Sequence, residues 1–217
     1  MKSLIFYIVS FLISLITFVI GAKVLLKKKI PLYFQLFLAA SGCYTLQALC
    51  SLVIEYCGGS EQVFSVSYLG LWGCMWFLFC ANHGAMNGLI NDGNKPAAWL
   101  YIIPVVHTLA ILFTSASYYV VFGDLVAAII IALVMAPGIP VVFWNASHLC
   151  AKEDDFGFRT KISGCDRASI IFNIALIGMC YSKAAGTIFT NIMLLVCPCT
   201  VALLLYQAAK GAKQWNI

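Results

Sequence analysis

Apolar stretches of membrane-spanning length recur along the whole chain, and short segments rich in charged and loop-type residues separate them. Most of them are close to the about 20 residues that a helix needs to cross the hydrocarbon core. Seven spans are predicted, at about residues 4–26, 32–56, 63–90, 97–116, 122–148, 168–182 and 185–209. The predicted fold class is all-α integral membrane: a seven-transmembrane helix bundle, built as a single domain over residues 1–217.

The boundary between the sixth and seventh spans rests on length. Residues 168–209 form a nearly unbroken apolar run. As one helix this run would be about 63 Å long, roughly twice the hydrocarbon thickness. The chain must therefore fold back, and residues 182–186 are the only place in the run that offers both a charge, Lys183, and a glycine, Gly186.

The basic residues predict the orientation, because cationic loops are retained on the cytoplasmic side. With seven spans, eleven Lys and Arg residues fall on one side and only Lys2 and Lys183 on the other. The eleven are Lys23, Lys27, Lys28, Lys29, Lys95, Lys152, Arg159, Lys161, Arg167, Lys210 and Lys213. This bias predicts an N-terminus outside and a cytoplasmic C-terminus.

Composition agrees with the pattern and excludes several classes of protein. The chain is 63% hydrophobic and only 10% charged, whereas soluble domains average about 45–50% apolar and about 25% charged residues. A soluble enzyme, a secreted disulfide scaffold and a disordered tail are thus excluded. The net charge of +5 lies beside membrane ends and not in a basic stripe with stacking aromatics, so no nucleic-acid partner is expected. The expected location is the cell membrane, specifically a bacterial plasma membrane.

Ionisable residues at membrane depth mark functional sites in membrane proteins, and here they are few. We predict no carboxylate near the bilayer centre, with Asp166 in the cytoplasm and His148 at the inner boundary. His107 is predicted close to the middle of the fourth span, beside a kink at Pro104. It is the leading ligand-contact residue, and a histidine that only hydrogen-bonds between helices is the alternative. No catalytic residue set and no cofactor are predicted.

An aromatic stripe on the third span extends the candidate ligand site. Trp72, Trp76 and His83 recur at helical spacing and Asn87 follows them, which would suit an amphipathic or aromatic ligand. Asn191 on the seventh span completes the candidate set. Plain packing of a membrane helix remains the alternative for the stripe.

Prolines and glycines predict where the helices bend and where they pack closely. Pro104, Pro137, Pro140 and Pro198 are each expected to kink a span. Two pairs of glycines on the third span mark expected close approaches of neighbouring helices, namely Gly70 with Gly73 and Gly84 with Gly88. Such a bundle could contain a central cavity or a moving joint, or could simply pack irregularly.

Cysteines in the seventh span suggest a second kind of site. Cys197 and Cys199 flank Pro198, and soft thiolates of this kind bind Cu(I), with Cys180 or Cys74 as a further sulfur ligand. The alternative function is therefore a small transporter for a soft metal or a thiol compound. We predict no metal site in the leading interpretation.

Two segments carry a family resemblance: Trp72-Gly-Cys-Met-Trp76-Phe-Leu-Phe79 in the third span and Tyr101-Ile-Ile-Pro104-Val-Val-His107-Thr108 in the fourth. On these segments, residues 32–117 resemble the seven-helix membrane sensor region of some bacterial histidine kinases and related signalling proteins. The resemblance implies helices that sense a signal and pass it inward. No kinase or cyclase output follows Ile217, so a separate partner is expected to receive the signal.

The leading hypothesis is a non-enzymatic sensor or receptor-like module in the lipid bilayer that binds a small or amphipathic ligand. Its expected contact surface for a cytoplasmic signalling partner is the longest loop, residues 149–167, which mixes acidic, basic and aromatic side chains. A solvated loop without a partner is the alternative.

Overall fold

The computed structural model describes residues 2–27, 30–58, 66–86, 96–150 and 158–215, and all regular structure in these ranges is helical. The first three helices are α1 (Lys2–Lys27), α2 (Leu32–Tyr56) and α3 (Val66–Phe79), which continues as a π-helical segment (Cys80–Met86). A 3₁₀ turn (Ala98–Tyr101) leads into α4 (Ile102–Phe122). The remaining helices are α5 (Leu125–Met135), α6 (Gly138–Cys150), α7 (Phe158–Ala185) and α8 (Thr187–Trp215).

Length and composition indicate a multi-pass membrane protein. Six helical segments within the described ranges are long and apolar enough to cross a membrane. They are Leu4–Leu26, Leu32–Tyr56, Ala98–Phe122, Leu125–Cys150, Ile162–Ala185 and Thr187–Lys213. The third predicted span, residues 63–90, is not one of the six; of it the structure describes the fourteen residues of α3 and the seven of the π-helical segment.

The reversal between the last two spans is confirmed. Helix α7 ends at Ala185 and α8 begins at Thr187, and the residue between them, Gly186, has φ +106°. Only glycine adopts such a backbone conformation readily, because it has no Cβ. The sixth span itself is longer than predicted, since α7 begins at Phe158 and not near residue 168.

The helices pack in an order that brings the first and last helices into contact. Helix α1 packs on α2 and α8, and α2 also packs on α3 and α8. Helix α7 contacts α4, α6 and α8, while α5 contacts α3 and α4. Large side chains fill the centre without exposure, for example Tyr44 of α2 and Phe172 of α7, whose rings meet edge to face at 5.9 Å.

Glycines permit one of the two predicted close approaches. A Cβ on Gly70 would lie 2.9 Å from backbone atoms of Cys43 and Gln47, so α2 and α3 touch there through their main chains. Gly73 meets the Cys43 side chain in the same way. The prediction for Gly84 is wrong, because this residue is exposed and an added Cβ would meet no described atom within 4 Å. Its predicted partner Gly88 lies outside the described residues.

The prolines differ in effect. The predicted break in the fifth span is confirmed, because α5 ends at Met135 and α6 begins at Gly138, with Pro137 between them. Pro104 is the third residue of α4 and lies close to the change from the 3₁₀ turn to the α-helix. The kink expected there stays a prediction. Pro198 lies inside α8, which continues on both sides of it.

Candidate functional site

His107 lies on the buried face of α4, which also includes Ile111, Thr114 and Tyr118. These residues recur at steps of three and four, so they form one stripe of the helix. The His107 side chain is buried, and no described residue hydrogen-bonds to its Nε2 atom. A buried ring nitrogen without a partner is unfavourable unless something else binds it.

The break in the fifth span lies directly beside this nitrogen. A Cβ on Gly138 would be 2.5 Å from Asn173 Oδ1, 2.9 Å from Met75 Cε and 3.2 Å from His107 Nε2. Helices α3, α4, α6 and α7 therefore meet at Gly138, and only a residue without a side chain fits there without displacing its neighbours. This meeting point is called the Gly138 junction.

A second unpaired polar atom faces the junction from α7. Asn173 is fully buried, and its Nδ2 group donates a hydrogen bond to Ser169 O at 3.0 Å. No partner among the described residues reaches Asn173 Oδ1, and the same is true of the fully buried Ser169 hydroxyl. The hydrogen bond to Ser169 fixes the amide so that its oxygen points towards Gly138.

Further along α7, Asp166 pairs with His148 of α6. The His148 Nδ1 and Asp166 Oδ1 atoms are 3.3 Å apart, and both side chains are buried. The prediction that Asp166 lies in a loop is wrong, because α7 begins at Phe158 and Asp166 is therefore on a packed helix. His148 lies two residues before the end of the apolar segment Leu125–Cys150, and its place at a membrane boundary stays a prediction.

Two further buried polar side chains lie one helical turn from this pair, Asn145 before His148 on α6 and Ser169 after Asp166 on α7. Asn145 is fully buried, and its amide oxygen and nitrogen both lack partners among the described residues. We call the set running from the Gly138 junction to the pair the polar row: His107, Asn173, Ser169, Asn145, His148 and Asp166.

The predicted aromatic stripe is a continuous ladder of rings on a different surface. Ring centroids are 6.4 Å apart between Trp72 and Trp76, 5.7 Å between Trp76 and Phe79, and 5.2 Å between Phe79 and His83. His83 also stacks on Trp144 of α6 at 6.0 Å. The two tryptophans are 48% and 45% exposed and His83 is exposed.

The stripe and His107 therefore do not share one pocket. The neighbouring Met75, from the buried face of α3, is the residue that reaches the Gly138 junction, while Trp72 and Trp76 face outward. Asn191 of α8 is partly buried, and its Oδ1 has no partner within the described part of the chain. Asn87 lies outside the described residues.

Of the candidate metal-binding cysteines, Cys180 and Cys197 lie close enough to interact electrostatically, whereas Cys199 does not join them. Cys197 and Cys180 are buried; the Cys197 thiol donates to Ala175 O at 3.2 Å, and the Cys180 thiol lies 4.0 Å from Met135 Sδ. Cys199 is exposed, because residues two apart on a helix point in different directions. Within the described residues no group of three or more His, Cys, Asp or Glu side chains is placed to hold a metal ion.

Sequence reasoning missed Asn145, Ser169 and Asn173. A signal was present, because Asp166, Ser169 and Asn173 are spaced by three and four residues and so share one face of a helix. Recognising that these three residues share one helix face required knowing that the helix begins at residue 158.

Comparison of the chain with models of protein families, with curated proteins and with solved structures finds no match.

Proposed function

We propose that the protein is a non-enzymatic, seven-span sensor or receptor-like module whose ligand binds at the Gly138 junction and whose signal passes along the polar row. In this proposal the N-terminus is outside and the C-terminus is cytoplasmic. Helix α3 with its π-helical segment crosses the membrane in addition to the six long apolar segments. The lysine and arginine bias supports this orientation. The close packing of α3 on α2 at Gly70 supports its inclusion in the bundle.

The observation that carries the proposal is the pair of unpaired atoms at the junction. His107 Nε2 and Asn173 Oδ1 both lie within 3.2 Å of the same point above Gly138, so they are no more than about 6 Å apart. Two hydrogen bonds of ordinary length cover about 5.6 Å. One hydroxyl or amine of a ligand could bridge them, because an imidazole nitrogen accepts or donates according to its tautomer and the amide oxygen accepts. The junction is closely packed in this structure, so in this proposal the ligand displaces the end of the Met75 side chain that lies there.

The chemistry of the surroundings fits a small or amphipathic ligand. Met75 lines the junction with an apolar methyl group, and the outward faces of the helices are covered by large apolar side chains such as Val105 and Val106 of α4, each more than half exposed. A polar head group would satisfy the junction, while an apolar body would remain among hydrophobic side chains.

The break at Pro137 supports a route for the signal. Helix α6 begins at the junction with Gly138 and ends at Cys150, two residues after His148. A ligand that repositions the start of α6 would shift the whole of this short helix, including its pair with Asp166 at the other end. The segment that joins α6 to α7 lies next to that pair in the chain and is the proposed contact for a cytoplasmic signalling partner.

A stability screen on the purified chain tests the proposal. We expect a subset of small amphipathic alcohols and amines to raise the melting temperature of the parent in detergent, because a ligand that binds only the folded state stabilises it. The increase should disappear in His107→Ala and persist in His83→Ala, which removes an exposed histidine of the same chemistry. Equal stabilisation of both variants would refute the site, and no stabilising compound in the class would refute the proposal.

A further inference from the structure

Two stripes of side chains face each other where α6 packs on α7. The α6 stripe recurs at steps of seven and three and the α7 stripe at steps of three and four, and the two consist of Gly138, Asn145 and His148, and of Asp166, Ser169 and Asn173. The stripes meet at both ends: a Cβ on Gly138 would touch Asn173 Oδ1, and His148 Nδ1 lies 3.3 Å from Asp166 Oδ1. These two contacts show that the helices run antiparallel. Asn145 and Ser169 both lie between the two contacts.

The polar side chains between these contacts do not satisfy one another. Asp166 is 1% exposed, and Asn145 and Ser169 are fully buried. Asp166 Oδ2, the Ser169 hydroxyl and both amide atoms of Asn145 nevertheless have no hydrogen-bond partner in the described part of the chain. Buried polar atoms nearly always have such a partner. An ion or a molecule bound between the two stripes would supply it.

A further unpaired oxygen comes from the π-helical segment. His83 of this segment stacks on Trp144 of α6 with ring centroids 6.0 Å apart, so the neighbouring residues Asn82 and Asn145 lie at similar depth in the bundle. Asn82 is fully buried, and its Nδ2 group donates a hydrogen bond to Leu78 O at 2.7 Å. Its Oδ1 atom has no partner within the described ranges. The Asn82 amide therefore offers an acceptor oxygen, in a kind of segment that often occurs at functional sites.

The unpaired groups have the chemistry of a site for a hard monovalent cation. They offer oxygen atoms of one carboxylate, two amides and one hydroxyl. A water molecule donates only two hydrogen bonds, whereas a hard cation binds about six oxygen ligands. Asp166 lies within the apolar segment Ile162–Ala185, where a carboxylate charge is costly unless it is balanced. A neutral His148 can donate to Asp166 without balancing this charge, and a single carboxylate balances a monovalent cation better than a divalent one.

We propose that a sodium ion binds between α6 and α7, held by the side-chain oxygens of Asp166, Asn145 and Ser169, with Asn82 as a further ligand. Sodium is preferred to potassium because the two helices are in contact on both sides of the site, which favours the ion with the shorter metal–oxygen distances. Neutral amide and hydroxyl oxygens suffice for such an ion beside one carboxylate, so no cluster of acidic side chains is needed. The site lies away from the Gly138 junction and does not depend on the proposed sensor function.

Melting temperatures of the purified full chain in detergent test the site. The chlorides of sodium, potassium and choline are compared at equal concentration and at about pH 8, where free imidazole is mostly neutral. Sodium should raise the melting temperature by a few degrees over choline and saturate at a single midpoint, because an ion that binds only the folded state stabilises it. Potassium should raise it less. Equal melting temperatures in sodium and choline would overturn the proposal, and an equal increase in potassium would contradict the choice of sodium.

A carboxylate variant separates the site from a general effect of salt. Asp166→Asn keeps the shape of the side chain and an oxygen that can accept from His148, but it removes the charge. We expect the apparent affinity for sodium to fall at least about tenfold, because interactions with charged groups are the strong ones. Asp124→Asn is the matched control: Asp124 accepts from Ala127 N at the start of α5, where asparagine caps equally well, and the sodium effect should persist. A parent-like sodium effect in Asp166→Asn would refute the proposal.

Hydroxyl variants keep the test decisive if Asp166→Asn does not fold. Ser169→Ala removes one oxygen ligand and should weaken sodium binding severalfold. Ser147→Ala removes a buried hydroxyl that already donates to Phe143 O at 2.9 Å, so it should bind sodium as the parent does. Equal sodium affinity in these two variants would contradict the proposed ligands.

His107→Ala distinguishes this site from the proposed ligand site. This variant should lose the stabilisation by alcohols and amines at the Gly138 junction and keep the stabilisation by sodium. Loss of the sodium effect in a folded His107→Ala protein would contradict the location between Asp166, Asn145 and Ser169.

Discussion

Substitution of Gly138 by alanine tests the packing of the junction most sharply. The added methyl group would lie 2.5 Å from Asn173 Oδ1 and 2.9 Å from Met75 Cε, both closer than real Cβ contacts. The methionine end can rotate away, but the amide cannot move without breaking its hydrogen bond to Ser169 O. Overpacking of this kind costs about 1–3 kcal/mol, which exceeds the gain of at most about 1 kcal/mol from replacing glycine by alanine in a helix.

The expected net result is a loss of about 1–2 kcal/mol of unfolding free energy. Reversible denaturant titration of the purified protein in mixed micelles, followed by tryptophan fluorescence, measures it. Gly84→Ala is the matched control, because its new methyl group would meet no described atom within 4 Å. That variant should be neutral or slightly stabilised.

A double variant identifies the atom responsible. If Asn173 Oδ1 is the obstacle, Asn173→Ala should cost less in the Gly138→Ala background than in the parent, with a coupling of about 1 kcal/mol or more. Gly138→Ala stability equal to or above that of the parent would refute the reasoning, as would strictly additive effects of the two substitutions.

The buried His148–Asp166 pair and the cysteines yield two further predictions. Removal of one partner of a buried pair costs about 3–5 kcal/mol, so His148→Ala, which removes the partner of Asp166, should lower the unfolding free energy by about 3 kcal/mol. Arg167→Ala, at an exposed position, is the control and should change the unfolding free energy little. Similar small losses in both variants would contradict the pairing. Because Cys197 and Cys199 point to different surroundings, the copper content of protein purified after copper loading should be the same in the parent and in the double variant Cys197→Ser with Cys199→Ser, and a stoichiometric loss of copper in that variant would restore the transporter hypothesis.

Hydropathy and glycine placement made several features predictable from sequence. The first two predicted spans coincide with Leu4–Leu26 and Leu32–Tyr56 of the structure, because apolar runs bounded by charged residues mark membrane helices directly. The reversal at Gly186 and the break at Pro137 were predictable for a similar reason, since each residue restricts the local backbone whatever surrounds it.

Features that depend on pairing between helices were not predictable. The charged residues around Asp166 give this part of the sequence the low hydropathy that is typical of a loop. Asp166 is nevertheless buried, because His148 of the preceding helix pairs with it. Asn145 and Asn173 do not alter the apolar pattern of their spans, and their meaning depends on a register that only the packed bundle defines. The position of Pro104 close to the start of α4 was not predictable either, because the 3₁₀ turn that precedes this helix leaves little trace in the sequence.

Location of the two chain ends tests the central claim, a seven-span bundle with opposite termini. Epitope tags on either end can be labelled with a membrane-impermeant antibody before and after permeabilisation of the expressing cells. We expect labelling of the N-terminal tag on intact cells and of the C-terminal tag only after permeabilisation. Labelling of both tags under the same condition would mean an even number of crossings and would contradict the seven-span bundle.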